Sequence, residues 1–279
     1  MASGQEHPVV RVMNLSKSFE DKSVLRDVSL EILPAETMVI MGGSGCGKST
    51  LLRHMIGSLY PDSGHVELLG QNINDLAEEQ LNELRLKFGI LFQSGALFNS
   101  MTVGENVALP LREHTDLDEQ TIQIMVKIKL EQVGLRESID VMPAELSGGM
   151  KKRAGLARAI ALDPEIMFYD EPSAGLDPVT TAEIDQLITD LAKKLGVTTV
   201  VVTHEMASAF RIADRMAILD QGHLVKVAPK AEFEALRSSA ATGDQAMDTI
   251  RQFLRGESQG PLTARRSSTG YEDDILSVV

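Results

Sequence analysis

Short apolar runs separated by turn residues dominate the chain from Val9 to about Leu69. The runs are rich in β-branched residues, and glycine, proline, aspartate and serine stand between them, which is the pattern of successive β-strands. One helix is predicted in this part, beginning at Lys48. The predicted strands are Val9–Met13, Val28–Ile32, Met38–Met41 and Val66–Leu69.

The pattern becomes helical between about Ala77 and Val133. Helices are predicted at Glu78–Lys87 and at Asp118–Val133. We therefore expect a helical insert within an α/β frame. In the second helix, apolar residues recur at roughly helical spacing, at Ile122, Met125, Ile128 and Val133.

Helices and strands alternate from Ser147 to about Val227. The two strands predicted here are almost entirely apolar, which suits a parallel sheet covered on both faces. This alternation predicts an α/β fold. The predicted order is helix, strand, helix, strand, at Gly148–Leu162, Ile166–Tyr169, Thr180–Leu195 and Val197–Val202.

The end of the chain differs in composition from the rest. Two further helices are predicted at Lys230–Leu236 and Asp244–Leu254, and the following residues are rich in serine, glycine and threonine. Such a segment buries too little apolar surface to order itself, so we expect disorder there. The predicted organisation is one domain over residues 9–229, with a helical subdomain at about 77–160, a helical C-terminal appendix at 230–255 and a disordered tail at 256–279.

Composition and charge exclude several classes of protein. Hydrophobic residues make up 43% of the 279 residues, which is enough for a substantial core. With 27 Lys+Arg against 40 Asp+Glu the net charge is −13, and an acidic surface repels nucleic acid and anionic lipid headgroups. We therefore expect no nucleic-acid partner. If the chain attaches to a membrane, we expect it to dock onto a membrane protein and not onto lipid.

Three features predict a cytosolic chain that does not span a membrane. Cys46 is the single cysteine and so has no partner for an internal disulfide. Residues 1–8 lack the apolar segment of a signal peptide. No window approaches the roughly 18 consecutive apolar residues of a spanning helix.

A glycine-rich segment follows the predicted strand Met38–Met41 and opens the predicted helix. It fits the pattern of Gly, four residues, Gly-Lys-Ser that binds nucleotide phosphates. Glycines let backbone N–H groups surround phosphate, and the helix N-terminus adds partial positive charge. A glycine-rich turn before a helix is the alternative interpretation. The residues predicted to contact ATP are Gly42, Gly43, Ser44, Gly45, Cys46, Gly47, Lys48, Ser49 and Thr50.

Two acids after a strand complete the predicted nucleotide site. Lys48 is expected to neutralise the β- and γ-phosphates, and Ser49 to bind Mg²⁺. The apolar strand Ile166–Tyr169 ends in Asp170 and Glu171. Asp170 suits the Mg²⁺ shell, and Glu171 suits a general base for the attacking water. Taken alone, the two acids would more often form a solvated turn.

The segment Leu146–Met150, with the sequence Leu-Ser-Gly-Gly-Met, stands upstream of the two acids and before a predicted helix. Here the chain resembles the ABC ATPase family, whose signature motif has this form. Ser147 suits a helix cap, and Gly148 and Gly149 expose N–H groups at a helix start, so the motif is a second anion site. The resemblance implies that it completes the ATP site of another subunit in a head-to-tail homodimer.

Further residues match the family's motifs between about Val9 and Pro229. The resemblance implies that Phe19 stacks on adenine and that Gln93 is the Q-loop glutamine, a Mg²⁺ ligand that takes part in catalysis. It also implies that Ser173–Asp177 forms the D-loop and that His204 is the switch histidine that contacts the γ-phosphate. Alone, Phe19 would be a packing residue and His204 a structural histidine. The expected fold is a P-loop NTPase core of the ABC ATPase type with a β-rich N-terminal subdomain and an α-helical signature subdomain.

Met150 stands where glutamine is commonest in the signature motif, and a basic run follows it. With the segments Phe92–Phe98 and Asn106–Arg112, this motif resembles the ATPase of Mla-type phospholipid transport systems of Gram-negative bacteria. The resemblance implies a position on the cytoplasmic face of the inner membrane. The implied partners are transmembrane permease subunits, a lipid-carrier protein and a STAS-domain regulator.

Two alternatives share the catalytic motifs. An importer ATPase for amino acids, metals or other small solutes differs only around Met150 and the Q-loop. A non-transport ABC ATPase of translation or DNA repair usually carries two cassettes, a coiled-coil insert or a metal cluster, whereas this chain has one cassette and one cysteine.

Overall fold

The computed structural model describes residues 7–240 and 243–257. The strands are β1 (Val10–Phe19), β2 (Lys22–Ile32), β3 (Thr37–Met41), β4 (Ser63–Leu68), β5 (Gln71–Asn72), β6 (Phe88–Leu91), β7 (Ile166–Asp170), β8 (Thr198–Thr203), β9 (Arg215–Asp220) and β10 (His223–Pro229). The helices are α1 (Lys48–Met55), α2 (Glu78–Arg85), α3 (Val103–His114), α4 (Glu119–Gln132), α5 (Gly148–Ala159), α6 (Pro178–Leu195), α7 (Met206–Ile212), α8 (Lys230–Ser238) and α9 (Gln245–Arg255).

The strands form two sheets of different kinds. A four-stranded antiparallel sheet has the order β2-β1-β4-β5, and a six-stranded sheet has the order β10-β9-β3-β8-β7-β6. In the second sheet β9, β3, β8, β7 and β6 are parallel, and β10 pairs antiparallel to β9 at the edge. The expected α/β core with a β-rich N-terminal part is confirmed.

Alternate residues of the central strands face two separate cores. On β3, Met38 and Ile40 pack towards the antiparallel sheet, α1 and α2, while Val39 and Met41 pack towards α3–α9. The same alternation along β7 and β8 divides their side chains between the two cores. Both faces of the sheet are therefore covered, which explains why its strands are almost wholly apolar.

Local capping groups set where several helices begin and end. The Asp177 carboxylate accepts hydrogen bonds from the first turn of α6, and Pro178 occupies the first helical position. Gly196 ends that helix with a φ of 64°, in the left-handed region. The α3 helix begins with a reciprocal pair, in which Thr102 and Glu105 each bond the other's backbone N–H.

Most predicted elements lie within a few residues of the observed ones, but six observed elements were not predicted: β5, β6, β9, β10, α3 and α7. The region predicted as helical also contains the sheet strand β6, and α3 was not predicted because Gly104 and Pro110 interrupt its helical pattern. The apolar residues that recur at helical spacing in the predicted helix Asp118–Val133 do not all face the core. Ile128 is exposed, and the buried stripe of α4 runs through Ile122, Val126 and Leu130, at spacings of four residues.

The C-terminal helices agree with their predicted positions, as α8 and α9. Phe233 of α8 and Ile250 and Leu254 of α9 are buried in the core that lies on the helical face of the sheet. The tail predicted to be disordered lies, from residue 258 onward, outside the described residues.

Candidate active site

Three adjacent parallel strands end at the same edge of the large sheet. The middle strand, β8, pairs with β3 on one side and β7 on the other, so that Thr203 lies opposite Met41 and Val202 lies opposite Asp170. Each strand is followed by one of the predicted motifs. The pairing therefore brings the phosphate loop, the two acids and the predicted switch histidine together, although they are far apart in sequence.

The phosphate loop bends between β3 and α1 through two left-handed glycines. Gly45 and Gly47 have φ values of 76° and 109°, which side chains with a Cβ rarely adopt. A Cβ on Gly47 would also lie 2.8 Å from a Leu25 methyl and 2.9 Å from the Val24 carbonyl oxygen. Glycine is required there by both conformation and space.

The loop is shaped to receive an anion. A Cβ at Gly43 or Gly45 would meet no atom within 4 Å, so the backbone is open on this side. The Lys48 ammonium donates hydrogen bonds to the carbonyl oxygens of Gly42 at 3.0 Å and Gly43 at 3.1 Å. These bonds hold the positive charge of Lys48 at the loop. Together with the start of α1, these residues fit a nucleotide phosphate group.

Cys46 packs inside the same loop. Its side chain is buried, and burial raises the pKa of the thiol above its ordinary value. The thiol therefore stays protonated at neutral pH and fills space against Gly42 within the loop.

Oxygen atoms suited to a hard cation meet beside the loop. The Ser49 hydroxyl donates to the Asp170 carboxylate at 3.2 Å. Burial raises the pKa of Asp170, the Ser49 hydrogen bond opposes that rise, and the charge of Glu171 adds to it. A hydroxyl and a carboxylate are ligands that Mg²⁺ prefers, so the pair fits the cation that accompanies a nucleotide.

Glu171 sits in a strained backbone conformation one residue past β7. Its φ is 50°, in the left-handed region that glycine favours, at a cost of about 1–3 kcal/mol. The carboxylate accepts hydrogen bonds from the Thr203 hydroxyl at 3.2 Å and the His204 backbone N–H at 3.4 Å, and it lies 2.9 Å from His204 Nδ1. These bonds fix the Glu171 carboxylate one residue past Asp170.

The signature segment forms the exposed start of α5. Ser147 caps the helix, since its hydroxyl accepts from the Met150 backbone N–H at 3.3 Å. Ser147 and Gly148 are exposed, and a Cβ on Gly149 would lie 2.6 Å from a Thr180 methyl on α6. The helix start is thus open to a ligand from outside the chain and closely packed behind.

Phe19 and Gln93 both occupy exposed positions. Phe19 is 44% exposed at the end of β1, with the Lys17 ammonium 5.6 Å from the centre of its ring. Gln93 follows β6 and is exposed, and its backbone carbonyl accepts a hydrogen bond from Lys152. Their predicted roles, adenine stacking and cation binding, remain predictions.

Comparison with known proteins agrees with this geometry. A family model described as ABC transporter matches residues 25–174. The "Intermembrane phospholipid transport system ATP-binding protein MlaF" of Escherichia coli (strain K12) is 40% identical over 96% of this chain and 96% of its own length. The chain belongs to the ABC transporter ATP-binding family. Its members hydrolyse ATP, so this ABC ATPase is an ATP-binding enzyme subunit.

Two further relatives bear on this ABC ATPase. The "Probable ribonucleotide transport ATP-binding protein mkl" of Mycobacterium leprae (strain TN) is 43% identical over 91% of the chain and 70% of its own length. The solved dimer of the ATP-binding cassette MJ0796, in a post-hydrolysis state with ADP and Pi, aligns with a TM-score of 0.73 and 32% identity. It covers 79% of this chain and 98% of that one.

Three residues of the ABC ATPase that had no predicted role contact the site or its surroundings. Thr203 donates to Glu171, and Lys152 donates to the backbone of Gln93 and Glu171. Asn106 of α3 is buried and bonds the backbone of the segment after the Q-loop. Of the three, only Lys152 could have been noticed from the sequence. It stands three residues after Gly149, and this spacing places both residues on the same face of the helix.

Among residues 7–240 and 243–257, no helix has the length and apolar composition needed to cross a membrane.

Proposed function

We propose that this ABC ATPase powers the movement of phospholipid between the inner and outer membranes of a Gram-negative bacterium. One observation carries the proposal: the intermembrane phospholipid transport ATPase of Escherichia coli matches the chain from end to end, with 96% of both chains aligned at 40% identity. A relative with the same name in Haemophilus influenzae is 41% identical over 96% of the chain and 98% of its own length.

A second candidate is the transport of a small solute, favoured by the mycobacterial relatives named for ribonucleotide transport. They are slightly more similar, at 43% identity, but the alignment leaves about a third of their length unmatched. A match that covers 96% of both chains is the stronger argument for a shared partner set, so phospholipid remains our proposed substrate.

We assign roles to the site residues as follows. Lys48 and the open loop hold the ATP phosphates, and Ser49, Asp170 and the Gln93 side chain hold Mg²⁺. Mg²⁺ held by these residues would offset the negative charge of the ATP phosphates. Glu171 orients the attacking water and accepts its proton.

The remaining roles concern substrate contacts. His204 contacts the γ-phosphate, and Phe19 stacks on the adenine ring. The exposed Ser147 and Gly148, with the Gly149 backbone that follows them, contact the ATP that is held by the partner subunit of a homodimer. Support comes from the exposed signature cap and from the dimeric state of the related cassette.

The proposed assembly places the homodimer on the cytoplasmic face of the inner membrane, against transmembrane permease subunits. A lipid-carrier protein and a STAS-domain regulator complete it. The acidic net charge of −13 supports docking onto protein in preference to anionic lipid.

The test is to purify the full-length chain in detergent with its permease and to reconstitute the complex in liposomes. We expect ATP-dependent transfer of a fluorescent phospholipid to acceptor liposomes, abolished by Glu171→Gln. The matched measurement uses radiolabelled ribonucleotide in the same liposomes. ATP-dependent uptake of ribonucleotide without lipid transfer would refute the phospholipid proposal and support the second candidate.

A further inference from the structure

Lys152 is a buried lysine in the middle of the signature helix α5. Its residue surface is only 5% exposed, and lysines are almost never that buried unless they are paired. Its ammonium donates to two backbone carbonyl oxygens, a hydrogen bond to Gln93 and one to Glu171 at 3.3 Å. These two residues belong to the Q-loop and to the end of β7, so one side chain joins three motifs of the site.

The Glu171 end of this link is a strained peptide. Its left-handed φ of 50° persists only because the surroundings hold it. The Glu171 N–H donates to the Val202 carbonyl at 2.9 Å, and the Glu171 carbonyl accepts from Ala174 N–H at 3.2 Å as well as from Lys152. Of these three bonds, only the one from Lys152 comes from the helix that carries the signature.

The Gln93 end of the link belongs to a loop that is packed tightly onto the same helix. A Cβ on Gly155 would lie 2.8 Å from the Gly95 carbonyl oxygen, and a Cβ on Gly95 would lie 3.0 Å from the Lys151 carbonyl oxygen. The Arg158 guanidinium lies 5.6 Å from the centre of the Phe98 ring. The loop after Gln93 is therefore in close contact with α5 at several points along the helix.

We propose that Lys152 is a positioning residue that ties the signature helix to the backbone of Gln93 and of Glu171. A displacement of α5, the helix that begins at Ser147, then moves the Q-loop and the catalytic carboxylate together. An anion that engages the signature cap would thereby adjust Glu171 in the same chain. The inference rests on hydrolysis through Glu171 and not on the identity of the transported substrate.

The test compares Lys152→Met with Lys152→Arg and with a matched control, Lys129→Met, in the full-length protein. Lys129 is an equally buried lysine on the neighbouring helix α4, but its ammonium pairs with Asp163, which has no place in the site. For each variant the steady-state kcat and the KM for Mg-ATP are measured, together with the Kd of a fluorescent ATP analogue.

Lys152→Met removes both hydrogen bonds that the ammonium donates, and it changes no residue to which we assign phosphate binding. We expect kcat to fall at least about tenfold, which corresponds to roughly 1.4 kcal/mol of barrier, while the ATP-analogue Kd stays within about threefold. Lys152→Arg keeps the charge and two donors and should recover kcat to within about threefold of the wild type. Lys129→Met should stay in that same range.

A kcat of Lys152→Met near the wild-type value would overturn the proposal. Equal losses of kcat in Lys152→Met and Lys129→Met would also overturn it, because the effect would then belong to any buried lysine of this subdomain. If Lys152→Met does not fold, Lys152→Ala, which leaves room for water at the two carbonyls, takes its place with the same expected result. Glu171→Gln is measured in parallel, so that a failure of the general-base assignment is seen separately.

Discussion

Replacing Glu171 by glutamine changes the chemistry of the site while leaving its shape almost intact. The side chain is 13% exposed, and its carboxylate accepts from the Thr203 hydroxyl and the His204 N–H. The glutamine oxygen can keep both bonds, and its NH₂ group can face His204 Nδ1, which lies 2.9 Å from the present carboxylate. We therefore expect the free energy of unfolding to change by no more than about 1 kcal/mol.

The expected kinetic effect is much larger, because an amide cannot accept the proton of the attacking water. General-base catalysis contributes about 10²–10⁴ in rate, so kcat should fall by that factor, or by roughly 2.7–5.4 kcal/mol of barrier. ATP binding should persist, since Lys48 and the Ser49–Asp170 pair are unchanged. The variant should therefore accumulate as a closed, ATP-loaded dimer.

Phosphate release measures kcat, a fluorescent ATP analogue measures affinity, and size-exclusion chromatography with ATP measures dimer formation. The matched control is Glu165→Gln, the same chemical change at the other end of β7, where the carboxylate is exposed and pairs with Lys87 at 3.4 Å. The control should keep wild-type turnover. Near-native turnover by Glu171→Gln, with ATP bound, would show that Glu171 is not the general base.

Three further predictions follow from the structure. Met150→Gln should leave hydrolysis within about tenfold, roughly 1.4 kcal/mol, because the Met150 backbone and not its side chain bonds the Ser147 cap; a hundredfold loss in the phosphate-release assay would contradict this. Asn106→Ala should lower the free energy of unfolding by about 2–4 kcal/mol, because it removes hydrogen bonds to backbone groups of Phe98 and Thr102. Urea unfolding measures this change, and a decrease below about 1 kcal/mol would contradict the prediction. A heterodimer of a Lys48→Ala subunit and a Ser147→Arg subunit should bind one ATP tightly if each ATP site is shared between the subunits. In that case both substitutions fall in one site and the other site remains native. Two equally weakened sites in a titration of ATP-binding stoichiometry would rule out sharing.

Much of the chemistry could be predicted from the sequence because each motif is a contiguous segment with a local conformational requirement. Gly47 needs a left-handed φ and no side chain, and Ser147 caps the helix that immediately follows it. Asp170 and Glu171 directly follow the apolar run Ile166–Tyr169, whose short length favours a buried strand. Composition, the repeating strand and helix pattern, and these segments were sufficient to recognise the family.

What only the tertiary structure decided is how separate segments meet. The strand order places β8 between β3 and β7, so that Thr203 and His204 reach Glu171 from a segment more than thirty residues away. The buried face of α4 is a similar case. Helical spacing alone is compatible with a buried Ile128, but in the folded protein Val126 is buried and Ile128 is exposed. The burial of Lys152 depends on the loop after β6, which lies 59 residues earlier in the chain. Such contacts join residues whose local sequence is compatible with several neighbours, and only the packing of the whole sheet and its helices selects one of them.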